Sequence, residues 1–285
     1  MSEIKVPGIV VFRSCVFCSD IDNITSIIEL FLCSLPESYT FMHLSLWTEI
    51  RTVYASQVDT ARRLRLVSLC QMLQEAAGSH ANALGLGFDQ MHSLGQVWVL
   101  NRWKAEINEA ASWRDTLRIE TWIREMSGPF SWRDFEVLHE SGSKIASASA
   151  LWVALDIHTR RPVRQISSPA PVPLIPQKTA ACGTALKIAA REFPEPPLLF
   201  TVNYSDLDMV GHVNNTSYLR WMQDALYAQT KHRELLSVEM QFLAEAHSGT
   251  VEVYTAYSPT GAYGVVRQGA EDLCRAAFTF RPDLS

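Results

Sequence analysis

Apolar and polar side chains alternate along much of this chain, and they do so in two separate stretches. In the first, Leu117, Ile119, Thr121 and Ile123 interleave with Arg118, Glu120 and Arg124. In the second, Val251, Val253 and Thr255 interleave with Glu252 and Tyr254. A period of two marks half-buried antiparallel strands. Further strands are predicted at 96–107, 131–139, 146–155, 237–244, 264–269 and 273–281. Ahead of each group the period changes to three and four. Leu66, Leu69, Cys70, Leu73, Ala76, Ala77 and His80 recur at that spacing, as do Tyr218, Met222, Ala225 and Leu226. That is the stripe of an amphipathic helix. The two stretches also match in detail. Tyr54-Ala-Ser-Gln-Val-Asp59 answers Tyr204-Ser-Asp-Leu-Asp208, and Gln74-Glu-Ala answers Gln223-Asp-Ala. Each copy predicts a strand, one long helix, then several antiparallel strands. The fold class is α+β, with a curved antiparallel sheet wrapped around a single helix, written twice.

Residues 162–197 separate the copies and hold eight of the thirteen prolines. Proline removes a ladder donor and resists helix interiors, so the segment reads as a linker. A helix of about two turns is expected within it near 180–191. The boundaries that follow are 1–41 for an atypical extension, 42–161 for the first module, 162–198 for the linker and 199–285 for the second module. The extension is apolar in patches without periodicity and mildly acidic. It matches neither a secretory signal nor an organelle transit peptide. We expect it to lie outside the functional fold; mass spectrometry of the native N-terminus would decide whether it belongs to the natural product. A cytoplasmic location is the expectation that goes with the missing signal patterns.

The net charge of -5 argues against nucleic acid, which would call for a basic excess. No apolar run is long enough, or free enough of charge, to span a bilayer. Six cysteines are present, three in the extension and three scattered, which is no disulfide framework. Cys15-x-x-Cys18 has no second pair or histidine at metal spacing, so neither metal nor cofactor is expected.

The densest polar run is 204–221. Asp206, Asp208, His212, Asn214 and Asn215 crowd around Gly211 just before the second helix stripe. Buried polar groups must be hydrogen-bonded, so a core has little use for such a run. A loop that delivers acid–base groups to the start of a helix needs this composition. Helix N-terminal N–H groups lack partners and carry positive partial charge. A substrate oxygen near Gly211, Val213, Asn214 and Asn215 could accept from them, as in an oxyanion hole. Asn215 is the expected N-cap. Asp208 and His212 are the candidate acid–base groups of this loop. Asp206 reads as a turn or supporting residue. First-copy Asp59 lacks a following Gly-His, so no second active site is expected.

These residues resemble a known family. Two modules in one chain, with Asp208-x-x-Gly-His-Val-Asn-Asn-x-x-Tyr218 in the second, are similar to the acyl-acyl-carrier-protein thioesterases of bacteria and plant plastids. The resemblance runs from about Leu46 to Pro282. It includes Trp98-Val-Leu-Asn-Arg, Ser131-Trp-Arg-Asp, and Ser149-Ala-Leu-Trp-Val with Thr159-Arg-Arg. It implies tandem hot-dog modules, each a long helix wrapped by a curved antiparallel sheet, with the site in the second. It implies hydrolysis of fatty acyl-acyl carrier protein to free fatty acid. Carried over by position, the family's Asp is Asp208, its His is His212 and its Glu is Glu245, which implies Asp208 as nucleophile or general base, His212 as the group that orients or polarises substrate, and Glu245 as the group that holds water. Its Asn position is Val210 here, a departure that removes one donor. The cysteine that many plant members carry after the Glu is Ala246, so a Cys–His nucleophile is not available there. The resemblance also implies that Trp98, Leu100, Trp103 and Trp122 line the acyl pocket.

Two other functions stay open at this point: an acyl-CoA thioesterase using the same site, and an acyl-binding protein weakened by Val210. An acidic acyl carrier protein would need a local basic face on this acidic chain. The candidates are Arg62/Arg63/Arg65, Arg102/Lys104, Arg160/Arg161/Arg164, and Lys178/Lys187/Arg191. Two modules in one chain are compatible with a monomer or a homodimer.

Overall fold

The computed structural model describes residues 44–230 and 233–282, together with the backbone of a short hairpin in the extension, β1 (Ile4–Val6) and β2 (Ile9–Val11). The rest of the expectation for 1–41, including Cys15 and Cys18, lies outside the described residues.

The first module runs β3 (Leu46–Thr52), α1 (Leu66–Ala83), α2 (Phe88–Ser93), β4 (Gln96–Ile107), β5 (Thr116–Ser127), β6 (Phe130–His139) and β7 (Lys144–Asp156). The second runs β8 (Leu198–Thr201), α3 (Asn215–Thr230), β9 (Leu235–Phe242), β10 (Thr250–Ser258), β11 (Gly261–Gln268) and β12 (Glu271–Phe280). All ten strands from β3 to β12 form one antiparallel sheet in the order β3-β5-β6-β7-β4-β9-β12-β11-β10-β8. Read inward from either edge, both halves show the same order: first strand, third, fourth, fifth, second. The repeat seen in the sequence is therefore a repeat of topology. The halves meet where β4 pairs with β9, from Arg102↔Gln241 to Glu106↔Ser237.

Both long helices lie on one face of this sheet. Leu69, Leu73, Ala76 and Ala77 of α1 are buried, as are Leu219, Met222, Ala225 and Leu226 of α3. These are the stripes that the spacing marked out. They join Trp103, Phe135, Val238 and Met240 from the strands in one core cluster that ignores the module boundary. Each fully buried Leu or Met side chain contributes about 1.5–3 kcal/mol relative to exposure. Gly264 on β11 permits close approach of α3, since a Cβ there would stand 2.9 Å from the Met222 sulfur. A smaller cluster (Leu84, Leu86, Met91, Ile123, Ala154, Ile166) closes the α2 end.

The helix expected near 180–191 does not form, and the correction has a clear cause. The linker runs extended over the outer face of the sheet, and strand side chains take up its N–H groups. Ala180 donates to Asp134 Oδ2 (3.0 Å), Cys182 to Ser147 Oγ (3.0 Å) and Ile188 to Gln241 Oε1 (2.8 Å). Ala180, Cys182, Ala185 and Ile188 are buried beneath it. A segment whose donors are already matched by a sheet face gains nothing by coiling.

Candidate active site

The loop before α3 is wound around Asp208. Its Oδ1 accepts the N–H groups of Val210 and His212, both at 3.0 Å. Its own N–H donates to the His212 carbonyl at 2.8 Å, and Gly211 N–H donates to the Asp208 carbonyl at 3.0 Å. Gly211 closes this turn at φ 80°, a left-handed conformation that glycine adopts without a Cβ clash. Among the described residues Asp208 Oδ2 has no partner, so one oxygen fixes the loop and the other is free.

Asp206 is fully buried and structural. It accepts from Asn203 N–H (2.8 Å) and forms an ion pair with Arg220 of α3. Its carbonyl accepts Asn214 N–H at 2.8 Å. The N-cap of α3 is Asn214, not Asn215: Asn214 Oδ1 accepts the Thr216 N–H (2.9 Å) and hydroxyl (2.8 Å). This also narrows the oxyanion candidates. The N–H groups of Gly211 and Asn214 are committed inside the loop, so they cannot serve. Those of Val213 and Asn215 have no acceptor among the described residues.

Glu245 follows β9, in a loop rather than on the strand. Its Oε1 lies 3.6 Å from His212 Nδ1 and 2.5 Å from Arg160 Nη2. Ala246 N–H donates to the Tyr218 hydroxyl at 2.8 Å, which ties the Glu245 loop to the first turns of α3. Burial pushes the Tyr218 phenol well above its usual range, so it stays neutral. Sequence reasoning gave Tyr218 only a helix position and Arg160 only a surface one. The Tyr at the end of the Asn-Asn-x-x-Tyr run was the signal for the first. The three residues His212, Glu245 and Arg160 are all partly exposed, at 38–46% of their side-chain surface.

Behind α3's first turn lies a narrow apolar pocket, partly open to solvent. Asn215, Thr216 and Leu219 line one side, with Met240 and Phe242 of β9. The rest of the wall belongs to the first module: Cys70, Leu73, Gln74, Leu100, Trp103, Phe135, Ala150 and Trp152. Of the four expected lining residues, Leu100 and Trp103 are here and Trp98 and Trp122 are not. Trp98 packs on the α2 cluster with its N–H on the Leu86 carbonyl (3.0 Å). Trp122 points to the outer face, where the linker's Lys178 carbonyl accepts its N–H (2.7 Å) and the Lys178 ammonium covers its ring (4.2 Å). Phe135, Ala150 and Trp152 were missed because strand alternation does not say which of two buried faces holds the helix.

The first module keeps a twin of this loop. Asp59 Oδ1 accepts the N–H groups of Ala61 (2.8 Å) and Arg63 (2.9 Å), as Asp208 does from Val210 and His212. Arg62 stands where Gly211 stands, at φ 62°, and Arg63 stands where His212 stands. The match sets Asp59 against Asp208 and Tyr54 against Asn203, so the earlier pairing of Tyr54 with Tyr204 was off by one residue. In this twin an ion pair between Arg63 and Asp59 (3.1 Å) replaces the imidazole.

Among the other basic clusters, Lys104 is paired with Glu239 (3.3 Å), Lys178 with Glu120 (3.0 Å), and Arg191 lies on the Tyr263 ring (3.5 Å). Arg161 and Arg164 are exposed and have no ion-pair partner among the described residues. No helix there is long and apolar enough to cross a membrane.

Residues 47–167 match the family described as acyl-ACP thioesterase N-terminal domain, and 195–279 match acyl-ACP thioesterase C-terminal domain. A chloroplastic acyl-[acyl-carrier-protein] hydrolase of Cuphea viscosissima is 24% identical over 229 residues, covering 75% of this chain and 56% of that protein. A chloroplastic dodecanoyl-[acyl-carrier-protein] hydrolase of Cinnamomum camphora is 24% identical over 254 residues, covering 80% of this chain and 66% of that protein. The chain thus spans little more than half to two thirds of these relatives. The crystal structure of an acyl-ACP thioesterase from Bacteroides thetaiotaomicron aligns with a TM-score of 0.77 at 24% identity, over 83% of this chain and 98% of that one. The 12:0-ACP thioesterase of Umbellularia californica aligns at 0.70 and 20% identity, over 84% and 98%. These likenesses show the tandem hot-dog fold.

Proposed function

Because the chain belongs to the acyl-ACP thioesterase family, we propose that it hydrolyses the thioester of a fatty acyl-acyl carrier protein and releases the free fatty acid. One observation supports this most: the apolar cavity begins at the first turn of α3, beside the acid–base loop, and continues into the core of the other module. Its apolar walls suit a hydrocarbon chain whose polar end stops at Asn215. The thioester carbonyl oxygen accepts from the N–H groups of Val213 and Asn215. Water attacks the carbonyl carbon, and Asp208 Oδ2 takes its proton. Glu245 orients that water, and His212 carries a proton to the departing carrier thiol as the C–S bond breaks.

The carrier docks on Arg161 and Arg164. They are unpaired cations beside the residue that reaches Glu245, whereas the cations of most other clusters are already engaged. One kinetic panel tests the reading. Acyl-carrier-protein and acyl-CoA substrates are offered to the wild type, to Asp208→Asn, which keeps the Oδ1 acceptor for the loop, and to an Arg161→Glu/Arg164→Glu double variant. We expect preferential release of fatty acid from the carrier protein and a loss of roughly 10²-fold or more in turnover for Asp208→Asn. The double variant should raise KM at low salt only. Acyl-chain binding without turnover in the wild type would replace hydrolase with binding protein; a preference for CoA would replace the carrier.

A further inference from the structure

Glu245 is held by a residue of the other module. Arg160 lies in the turn after β7, and its Nη2 reaches Glu245 Oε1 at 2.5 Å. The turn is tightly built. Asp156 Oδ1 accepts the N–H groups of His158 (3.1 Å) and Thr159 (2.7 Å) and the Thr159 hydroxyl (3.0 Å). Arg160 N–H donates to the Asp156 carbonyl, and Asp156 N–H to the Arg161 carbonyl, both at 2.9 Å. Arg160 itself sits at φ 56°, in the left-handed region. For a non-glycine residue that conformation costs about 1–2 kcal/mol.

We propose that Arg160 is a positioning residue of the active site, fixing the Glu245 carboxylate beside His212, so that catalytic geometry requires both modules. This rests on the hydrolytic reading above. Stability alone does not account for the arrangement. The pair is 44% and 38% exposed, and exposed ion pairs contribute about 0–1 kcal/mol, less than the strain of the turn. Position does account for it. Arg160 and His212 both approach Oε1, and among the described residues Oε2 has no partner. That leaves Oε2 as the oxygen able to hold water. With Arg160 gone, the carboxylate keeps only His212, at 3.6 Å, and is free to turn about its own side-chain bonds. Small misplacements of a catalytic group can cost on the order of 10²-fold in rate.

The test compares wild type, Arg160→Gln and Arg160→Lys in steady-state kinetics on an acyl-carrier-protein substrate, with thermal melts alongside. We expect Arg160→Gln to lose roughly 10–10²-fold in kcat with KM nearly unchanged and an unchanged melting temperature. Arg160→Lys, which keeps the cation, should recover part of kcat. An unchanged kcat in Arg160→Gln on an active wild type overturns the inference and leaves the hydrolytic reading intact. So does a loss confined to KM that salt abolishes, which would make Arg160 a docking residue. A wild type inactive on every carrier substrate overturns the hydrolytic reading and this inference with it.

Discussion

Val210 stands where the resemblance leads one to expect asparagine. The structure shows what the chain retains there. Val210 N–H still donates to Asp208 Oδ1, so the loop's winding does not depend on the side chain. The side chain is 41% exposed and makes no polar contact. What valine lacks is an amide that could donate to one site group and accept from another. Losing one placed donor can cost roughly 10²–10³ in turnover. Val210→Asn should therefore hold or raise kcat, measured on the same carrier substrate. A large drop would show that position 210 does not correspond to the family's asparagine. The neighbouring residues teach a related lesson. The polar density around Asp208 and His212 stood out in the sequence, whereas Glu245, in an apolar run, was named only through the resemblance; the structure sets its carboxylate 3.6 Å from His212. Which oxygen is free and which N–H is spent depends on loop winding, and composition carries no record of that.

At the scale of elements, α1 is anchored at its C-terminal end by a buried histidine. His80 Nε2 donates to the Leu44 carbonyl at 2.6 Å, and Nδ1 accepts from Arg133 Nη1 at 2.8 Å. Trp47 stacks on the ring at 5.8 Å. Burial, then the Arg133 charge, holds the imidazole neutral and brings its pKa down to about 3. An unfolded histidine titrates near 6.5. Between those values the unfolded chain binds a proton that the folded chain refuses. The stabilisation is thus complete above about pH 6.5 and is lost as pH falls toward 3. At pH 5 the loss is about 2 kcal/mol. Unfolding free energies from urea titrations at pH 7 and pH 5 should differ by that amount in the wild type and by much less in His80→Gln; equal shifts in both would remove His80 as the cause. Element types were largely readable because the periods of two and near 3.6 are side-chain facts. β4 matches its expected span, 96–107. The linker was misread for the opposite reason. Its conformation is dictated by Asp134, Ser147 and Gln241, and these partners lie 35–53 residues away along the chain or in the other module. Trp122 was assigned to the pocket, but the same linker covers it on the outer face.

For the whole molecule, the junction of β4 and β9 decides how the chain unfolds. Trp103, Val238 and Met240 are at most 6% exposed at that seam, and the core cluster continues through it. Calorimetry should show one cooperative transition, and Met240→Ala should lower it as a unit, by about 2–5 kcal/mol. Two separable peaks would mean that the modules stand alone. The duplication could be read from the sequence, but the seam could not, since β4 and β9 look like any other strands until they are paired. The seam has one more effect. A symmetric partnership of two like modules would present a working loop at each helix start, and each would compete for the same interior. Here Arg62 and Arg63 stand in the glycine and histidine positions of the first-module loop, and Arg63 pairs with its aspartate. On the proposed reading one sheet then carries one reaction centre, and the interior that a second would have claimed is left to a single guest.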